Sequence, residues 1–287
     1  MHNIRPAVKD IFGQSAEVKS ITSVSGGSIS ESFLAEINDG KSVFIKKNEL
    51  SPEGLFKCES NGLAALGSFG ARVPDVYKVF TAEGYQYIIM RYIERTSPSK
   101  SSDYNFGREL GELHRKDAGN KYGFSENNYI GANRQLNDYS ASWVSFFAEM
   151  RLGHQLKFAV KKKYFDDHEA DVFSKLIDKL GDIIPEDKPS LVHGDLWGGN
   201  YINSAEGCYL IDPAVYIGSR EADIAMTELF GGFSNEFYCG YNDVYPLDKG
   251  YRERRDLYNL YHVLNHLNLF GLSYKNQALS IAKKYVI

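Results

Sequence analysis

Residues 191–213 hold three polar side chains whose types and spacing suit phosphoryl transfer: Asp195, Asn200 and Asp212. In Leu191-Val192-His193-Gly194-Asp195-Leu196-Trp197-Gly198-Gly199-Asn200, an apolar pair leads into His-Gly-Asp and an amide follows. Leu210-Ile211-Asp212-Pro213 then ends a second apolar run on a carboxylate. The reaction asks for these groups. One carboxylate takes the proton of the acceptor hydroxyl, while an amide and a second carboxylate hold magnesium against the phosphates. His-Gly-Asp alone is equally an ordinary turn, since Gly and Asp both favour turns, and Asp-Pro alone is a loop start. The offsets between the three side chains, with an apolar run ahead of each carboxylate, favour chemistry over turns.

The protein-kinase wording of such a site is His-Arg-Asp, then Asn, then Asp-Phe-Gly. Here Gly194 stands in place of the Arg and Pro213 follows the second Asp. In that form the segment resembles the small-molecule kinases of the kinase-like fold, such as the aminoglycoside and choline kinases.

Such a site needs a phosphate cradle and a lysine upstream. Residues 21–24, 32–37 and 43–46 read as three strands, the last two joined at Asn38-Asp39-Gly40, a strong hairpin signal. The first turn, Ser25-Gly26-Gly27-Ser28-Ile29-Ser30, lets Gly26, Gly27 and Ser28 offer backbone N–H groups to phosphates. It lacks the three-glycine spacing of protein kinases, so its place two strands ahead of a lysine carries the reading. Lys46 is the expected phosphate lysine, because it shares the inward parity of Phe44 and Lys47 points to the other face. A helix over 53–66 follows, with Leu55, Phe56, Leu63 and Leu66 on its apolar repeat. Glu59 is the expected ion-pair partner of Lys46, with Glu53 the competitor. The segment Met90-Arg91-Tyr92 falls where a hinge would present its backbone to adenine. The polar stretch 95–102 marks a lobe boundary, giving an ATP-binding N-lobe over 1–94 and a catalytic, substrate-binding C-lobe over 95–287.

Downstream, residues 4–19 aside as a short leading helix, the pattern is mainly helical. Helices are expected over 103–115, with Gly107 and Gly111 permitting close packing; over 142–163, long and amphipathic; and over 172–180, stopped by Gly181 and Pro185. Residues 123–136, rich in Asn and Gly, read as a loop of the kind that carries specificity. His114 reads as a packing residue, and Asp223 as a brace for the catalytic loop. His262 and His266 stand four apart on a late helix, a possible metal pair, but no Glu or Cys nearby completes a ligand set.

Thirty-three basic residues against 37 acidic ones give a net charge of −4 in 287 residues, which argues against a nucleic-acid partner. Hydrophobic residues at 43% suffice for a large core, in one large domain or two lobes. Cys58, Cys208 and Cys239 form neither a disulfide framework nor a zinc pattern. A reducing, cytoplasmic setting is expected, with no signal peptide and no run of membrane-spanning length. A monomer is the favoured state.

The full set of motifs is more specific. His193-Gly194-Asp195-Leu196-Trp197-Gly198-Gly199-Asn200 is followed by Glu221-Ala222-Asp223-Ile224-Ala225-Met226-Thr227-Glu228-Leu229-Phe230-Gly231-Gly232-Phe233. Leu257-Tyr258-Asn259-Leu260-Tyr261-His262-Val263-Leu264-Asn265-His266-Leu267-Asn268 and Phe270-Gly271 come later. With Gly26-Gly27-Ser28-Ile29-Ser30, these runs resemble the fructosamine kinase (ketosamine-3-kinase) family, related to the aminoglycoside phosphotransferases, over nearly the whole chain. The resemblance implies an α+β, bilobal protein-kinase-like fold with a small β-rich N-lobe and a larger, mainly helical C-lobe. It implies phosphorylation of the 3-hydroxyl of a ketosamine, small or protein-bound, using ATP and Mg2+. The product is unstable and releases the amine, so the outcome is deglycation. Asp195 matches the base, Asn200 and Asp212 the magnesium ligands, and Lys46 the phosphate lysine. Trp197 is placed to stack on the sugar or to pack beneath the loop. Some relatives carry a cysteine in the Gly-rich loop; Ser28 stands there in this chain, which gives no support to a redox switch at that point. Another small-molecule kinase of the same fold is the nearest rival, although an aminoglycoside site should be strongly acidic. A nucleotide-binding pseudokinase should have lost the Asp or the Lys, and neither is lost.

Overall fold

The structure is a computed structural model that describes residues 3–24 and 30–286. Gly26, Gly27 and Ser28 of the expected phosphate cradle lie outside the described residues. Helix α1 (Ile4–Phe12) precedes strands β1 (Val18–Val24), β2 (Glu31–Ile37) and β3 (Ser42–Glu49), then helix α2 (Leu55–Ser68) and strands β4 (Val76–Ala82) and β5 (Tyr85–Arg91). The strands form one sheet in the order β1-β2-β3-β5-β4, antiparallel throughout. Strand alternation divides its apolar residues between two layers. Val43 and Ile45 of β3 pack towards α1 with Phe33, Ala35, Tyr87 and Ile89. Phe44 of the same strand packs with Phe56 and Leu63 of α2 and with Ile88 and Met90 of β5. Lys46 shares the α2 side, and that parity brings it to the site.

The leading helix stops at Phe12 rather than near 19, because Gly13 leaves it at φ 97° and the chain turns into β1. Helix α2 starts at Leu55, two residues later than expected, behind Gly54 in the left-handed region at φ 75°.

Helix α3 (Lys100–Arg115) opens the C-terminal part, which continues through β6 (Asn128–Ile130), β7 (Asn133–Gln135) and α4 (Trp143–Phe146). A π-helical stretch, Phe147–Gly153, leads from α4 directly into α5 (His154–Lys161). There follow α6 (Asp167–Asp178), α7 (Leu180–Ile183), β8 (Ser190–Val192), β9 (Tyr201–Ser204), β10 (Gly207–Leu210) and β11 (Tyr216–Gly218). The chain ends with α8 (Arg220–Leu229), α9 (Asn235–Val244), α10 (Tyr251–Phe270), a 3-10 turn (Leu272–Tyr274) and α11 (Lys275–Val286). Helix α10 is buried on nearly every side and anchors the main core with α4, α5 and α8. Among the described residues no helix is long and apolar enough to cross a membrane.

Capping chemistry explains two shifted boundaries. Ser99 and Ser102 form a capping box, so α3 begins at Lys100, inside the stretch 95–102 read as a lobe boundary. Asp166 and Glu169 do the same for α6, which starts five residues before 172; Gly181, expected as a stop, lies inside α7. Residues 123–136 are not a plain loop, since β6 and β7 pair there as a hairpin.

Helices α3 and α9 approach backbone to backbone at Gly107 and Gly240. A Cβ on Gly107 would overlap the Phe237 carbonyl, and one on Gly240 the Tyr104 carbonyl. Backbone cannot yield as a side chain can. Gly107→Ala should therefore destabilise the protein by roughly 3 kcal/mol, at the upper end of overpacking costs. Gly111→Ala should cost much less, because its new methyl would meet the Val244 side chain at 3.0 Å. Urea unfolding of the two variants measures the contrast.

Candidate active site

Strand β8 delivers His193-Gly194-Asp195 at its end, and β11 pairs beside it. Gly194 has φ 82°, and a Cβ there would overlap the Ala214 carbonyl, so the residue before Asp195 must be glycine in this chain. Asp223, in the first turn of α8, fixes the turn. Its carboxylate accepts the backbone N–H groups of His193 at 2.6 Å and Gly194 at 2.8 Å, and faces His114 Nε2 at 3.2 Å. Burial alone would raise Asp223, but His114 and the Gly194 N–H hold it below the usual carboxylate range. The bracing role read for Asp223 and the packing role read for His114 are thus one network, closed by Tyr241 Oη at 3.0 Å from His114 Nδ1.

His193 ties the two carboxylate-bearing segments together. Its Nε2 lies 2.9 Å from the Ile211 carbonyl, so that nitrogen carries the proton, and its Nδ1 accepts the Asp195 N–H at 3.3 Å. The Ala214 N–H returns to the His193 carbonyl at 2.9 Å. Burial holds the His193 pKa below its ordinary value, which suits this neutral linking role.

Asn200 donates its Nδ2 to Asp195 twice, to the backbone carbonyl at 2.8 Å and to Oδ2 at 3.1 Å. The two Nδ2 hydrogens are thereby used on Asp195, which leaves Oδ1 as a ligand oxygen. Burial, followed by the nearby Asp212, pushes the Asp195 pKa up to about 7, against the opposing bond from Asn200. Asp212 adopts φ 55°, a left-handed backbone that Asp tolerates better than most residues.

Lys46 Nζ bonds Glu59 Oε1 at 2.8 Å and contacts Asp212 Oδ1. Burial would push this lysine down, but Asp212 and Glu59 outweigh it and hold the ammonium above its ordinary value. Burial raises Glu59, with Lys46 opposing. Lys47 points to the opposite face, 3.0 Å from Glu31 and 3.9 Å above the Tyr85 ring. Glu53 accepts the Tyr129 hydroxyl at its backbone carbonyl, 2.8 Å away. Lys46 and Glu59 are thus paired at the site, while Lys47 lies on the other face of the sheet.

Lys46, Glu59, Asp195, Asn200 and Asp212 share a cavity of about 490 Å³. Its outer wall is aromatic. Trp197, 41% exposed, folds across Gly199, where a Cβ would strike the indole, and meets the Phe230 ring edge-on at 6.5 Å. Phe230 packs on His266 at 4.9 Å, and His266 on Phe270 at 5.4 Å. Met90, Arg91 and Tyr92 do not line this cavity. Met90 is buried in the sheet, Tyr92 is part exposed, and the Arg91 N–H is already donated to the Asp75 carbonyl at 2.8 Å. That amide is not free for adenine.

The aromatic wall was not assembled from sequence. Phe230 and His266 stood only within the runs that carry the resemblance, His266 also as half of a possible metal pair. The signal was the i, i+4 spacing on α10, which sets His262 and His266 on one face. His266 Nδ1 takes the His262 carbonyl at 2.8 Å, and His262 turns towards Asp195.

The arrangement offers a part-buried carboxylate held by an amide, with a second carboxylate in contact with an ammonium in the same cavity. Chemically, that set can take a proton from a hydroxyl and neutralise phosphate charge. Comparison with known proteins gives the family. Residues 1–287 match the family described as Fructosamine kinase. The protein of Vibrio parahaemolyticus named "Probable ketoamine kinase" is 42% identical over 268 residues, covering 92% of this chain and 91% of its own. The chloroplastic protein-ribulosamine 3-kinase of Arabidopsis thaliana is 37% identical over 281 residues, covering 96% and 85%. A crystal structure from Haemophilus somnus 129PT superposes with a TM-score of 0.89 at 31% identity, covering 99% of this chain and 97% of that one. The architecture of sheet followed by helices is the protein-kinase-like fold.

Proposed function

The chain belongs to the fructosamine kinase family, ATP-using phosphotransferases that act on ketosamines, and on that premise we propose that it phosphorylates the sugar 3-hydroxyl of an amine-linked or protein-linked ketosamine. The observation that carries the proposal is the shared cavity of Asp195, Asn200, Asp212 and Lys46 with an aromatic wall at its mouth.

In this reading Asp195 accepts the proton of the 3-hydroxyl as the sugar oxygen bonds to the γ-phosphorus. The bond from phosphorus to the bridging oxygen of ATP breaks, and ADP leaves. Asp195 needs little basicity, because such a transfer depends mainly on position and charge neutralisation. Lys46, held by Glu59, neutralises the phosphates. Asn200 Oδ1 and Asp212 are hard oxygen donors of the kind magnesium takes, and two protein ligands suffice where phosphates and water supply the rest. Bound there, magnesium would screen the phosphate charge. Trp197 and its aromatic neighbours would receive the sugar and the amine substituent. Residues 1–94 and 95–287 act as the two lobes, with the cavity drawing on both. The three free cysteines, Cys58, Cys208 and Cys239, favour a reducing cytoplasmic setting.

Magnesium-dependent ATP consumption tests the proposal against ribulosyl-lysine, fructosyl-lysine, unmodified lysine, choline and an aminoglycoside. Turnover with the ketosamines alone is expected. Phosphate on the 3-oxygen, followed by release of free lysine, establishes the position. Turnover with choline or the aminoglycoside instead would overturn the substrate while leaving the fold intact.

A further inference from the structure

Among the described residues, the Asp195 carboxylate is held at one end. Asn200 Nδ2 bonds Oδ2 at 3.1 Å, while Oδ1 faces His262 Nδ1 at 3.9 Å. His262 sits on the buried α10 and is only 3% exposed. Its Nδ1 is fully buried and has no hydrogen-bond partner among the described residues. A buried polar nitrogen left unpaired costs free energy, and native proteins keep few of them. The His262 ring is not free to seek a partner elsewhere: Tyr261 packs edge-on at 5.1 Å, and the His262 carbonyl is taken by His266 Nδ1.

We propose that His262 is a positioning residue for the base, its Nδ1–H closing on Asp195 Oδ1 when the acceptor hydroxyl is in place, so that Asn200 and His262 fix opposite ends of one carboxylate. The gap must shorten by about 1 Å to reach normal hydrogen-bond length. Catalytic hydrogen bonds are commonly long before the reactants assemble and tighten on binding. Burial pushes the His262 pKa down to about 3, so the ring is neutral in the physiological range and carries one N–H. A neutral donor orients the carboxylate without the full counter-charge that would weaken it as a base. The proposal rests on Asp195 being that base.

The test compares His262→Leu, His262→Asn and His262→Gln in steady-state kinetics with ketosamine and magnesium-ATP. Leu removes the donor and should lower kcat ten- to hundredfold, the range for one charge-assisted hydrogen bond, with KM for ATP changed less than about twofold. Asn places an amide N–H near the Nδ1 position and should recover most of the lost rate. Gln places it near the Nε2 position and should not. The Asn and Gln pair keeps the test open even where Leu fails to fold. In an Asp195→Asn background, His262→Leu should cause no further loss of the residual rate, because no carboxylate remains to orient. Full activity in Leu, equal damage in Asn and Gln, or a loss that adds undiminished to Asp195→Asn would each overturn the proposal. An Asp195→Asn enzyme that keeps its rate would overturn the base assignment itself, and the positioning role with it.

Discussion

Asp195→Asn should lower kcat by roughly a hundred- to ten-thousandfold, the usual contribution of a positioned general base, while leaving KM for ATP within a few-fold of its original value. The substitution is nearly isosteric, so the Asn200 contact can persist through the new amide oxygen, and Asp223 still braces the turn through His193 and Gly194. In the proposed reaction, what disappears is the acceptor for the hydroxyl proton, equivalent to about 3–5 kcal/mol of transition-state stabilisation. Coupled ATPase assays at saturating ketosamine measure the change. Retention of more than about a tenth of the rate would remove Asp195 from its role. Asp195→Ala should lose at least as much, with added loss of the Asn200 contact.

Lys46→Met should damage the enzyme in two ways. Turnover falls by orders of magnitude and KM for ATP rises, because the ammonium that meets the phosphates is gone. Stability falls as well. Without Lys46, Glu59 and Asp212 face one another with no cation between them, and stripping one partner from a buried ion pair typically costs about 3–5 kcal/mol. Protonation of Glu59 would relieve part of that cost. Its folded-state pKa is already raised by burial and by Asp212, and losing Lys46 raises it further. A carboxyl with a raised folded pKa stabilises below its unfolded value, and that contribution is lost as pH rises through the folded value. The stability deficit of Lys46→Met should therefore grow with rising pH. Lys47→Met, on the other face of β3 beside Glu31, should change neither ATP use nor this pH trend. Equal effects in the two variants would return the phosphate role to an open choice.

The candidate carboxylates were legible because Asp195 and Asp212 each follow an apolar strand, and Asn200 sits at a fixed offset from Asp195. Strand parity alone separated Lys46 from Lys47, and the two side chains do lie on opposite faces of β3, beside Glu59 and Glu31. Elements held by polar contacts were not legible. The β6–β7 hairpin has two three-residue strands without hydrophobic alternation. It is fixed by Asn128 Nδ2 on the Val215 carbonyl at 2.8 Å and Gln135 Nε2 on the Ala214 carbonyl at 2.9 Å. Buried amides of this kind read as loop in any apolar-periodicity scheme. The helix starts at Lys100 and Asp167 depended on serine and acidic caps rather than on the apolar stripe. The aromatic wall needed the fold, since Trp197, Phe230 and Phe270 come from separate segments. The π-helical stretch at Phe147–Gly153 has no marker in the hydrophobic pattern, yet it contains the fully buried Arg151, whose guanidinium lies 3.8 Å over Tyr216 and bonds the Leu136 carbonyl.

That hairpin constrains what evolution can vary around the site. Asn128 pairs with Gln135 across the two strands, and both grip the segment that follows Asp212. A slip of one residue would turn each anchor to the other face, releasing Ala214 and Val215 and with them the backbone that sets Asp212. The tip is itself restricted, since Gly131 has φ 62° and lines the cavity, and the count of residues between the two amides cannot drift by one. Natural diversification of this enzyme is then rigid in length at the hairpin, with the reading frame of a short turn acting as a ruler for the proposed phosphate site.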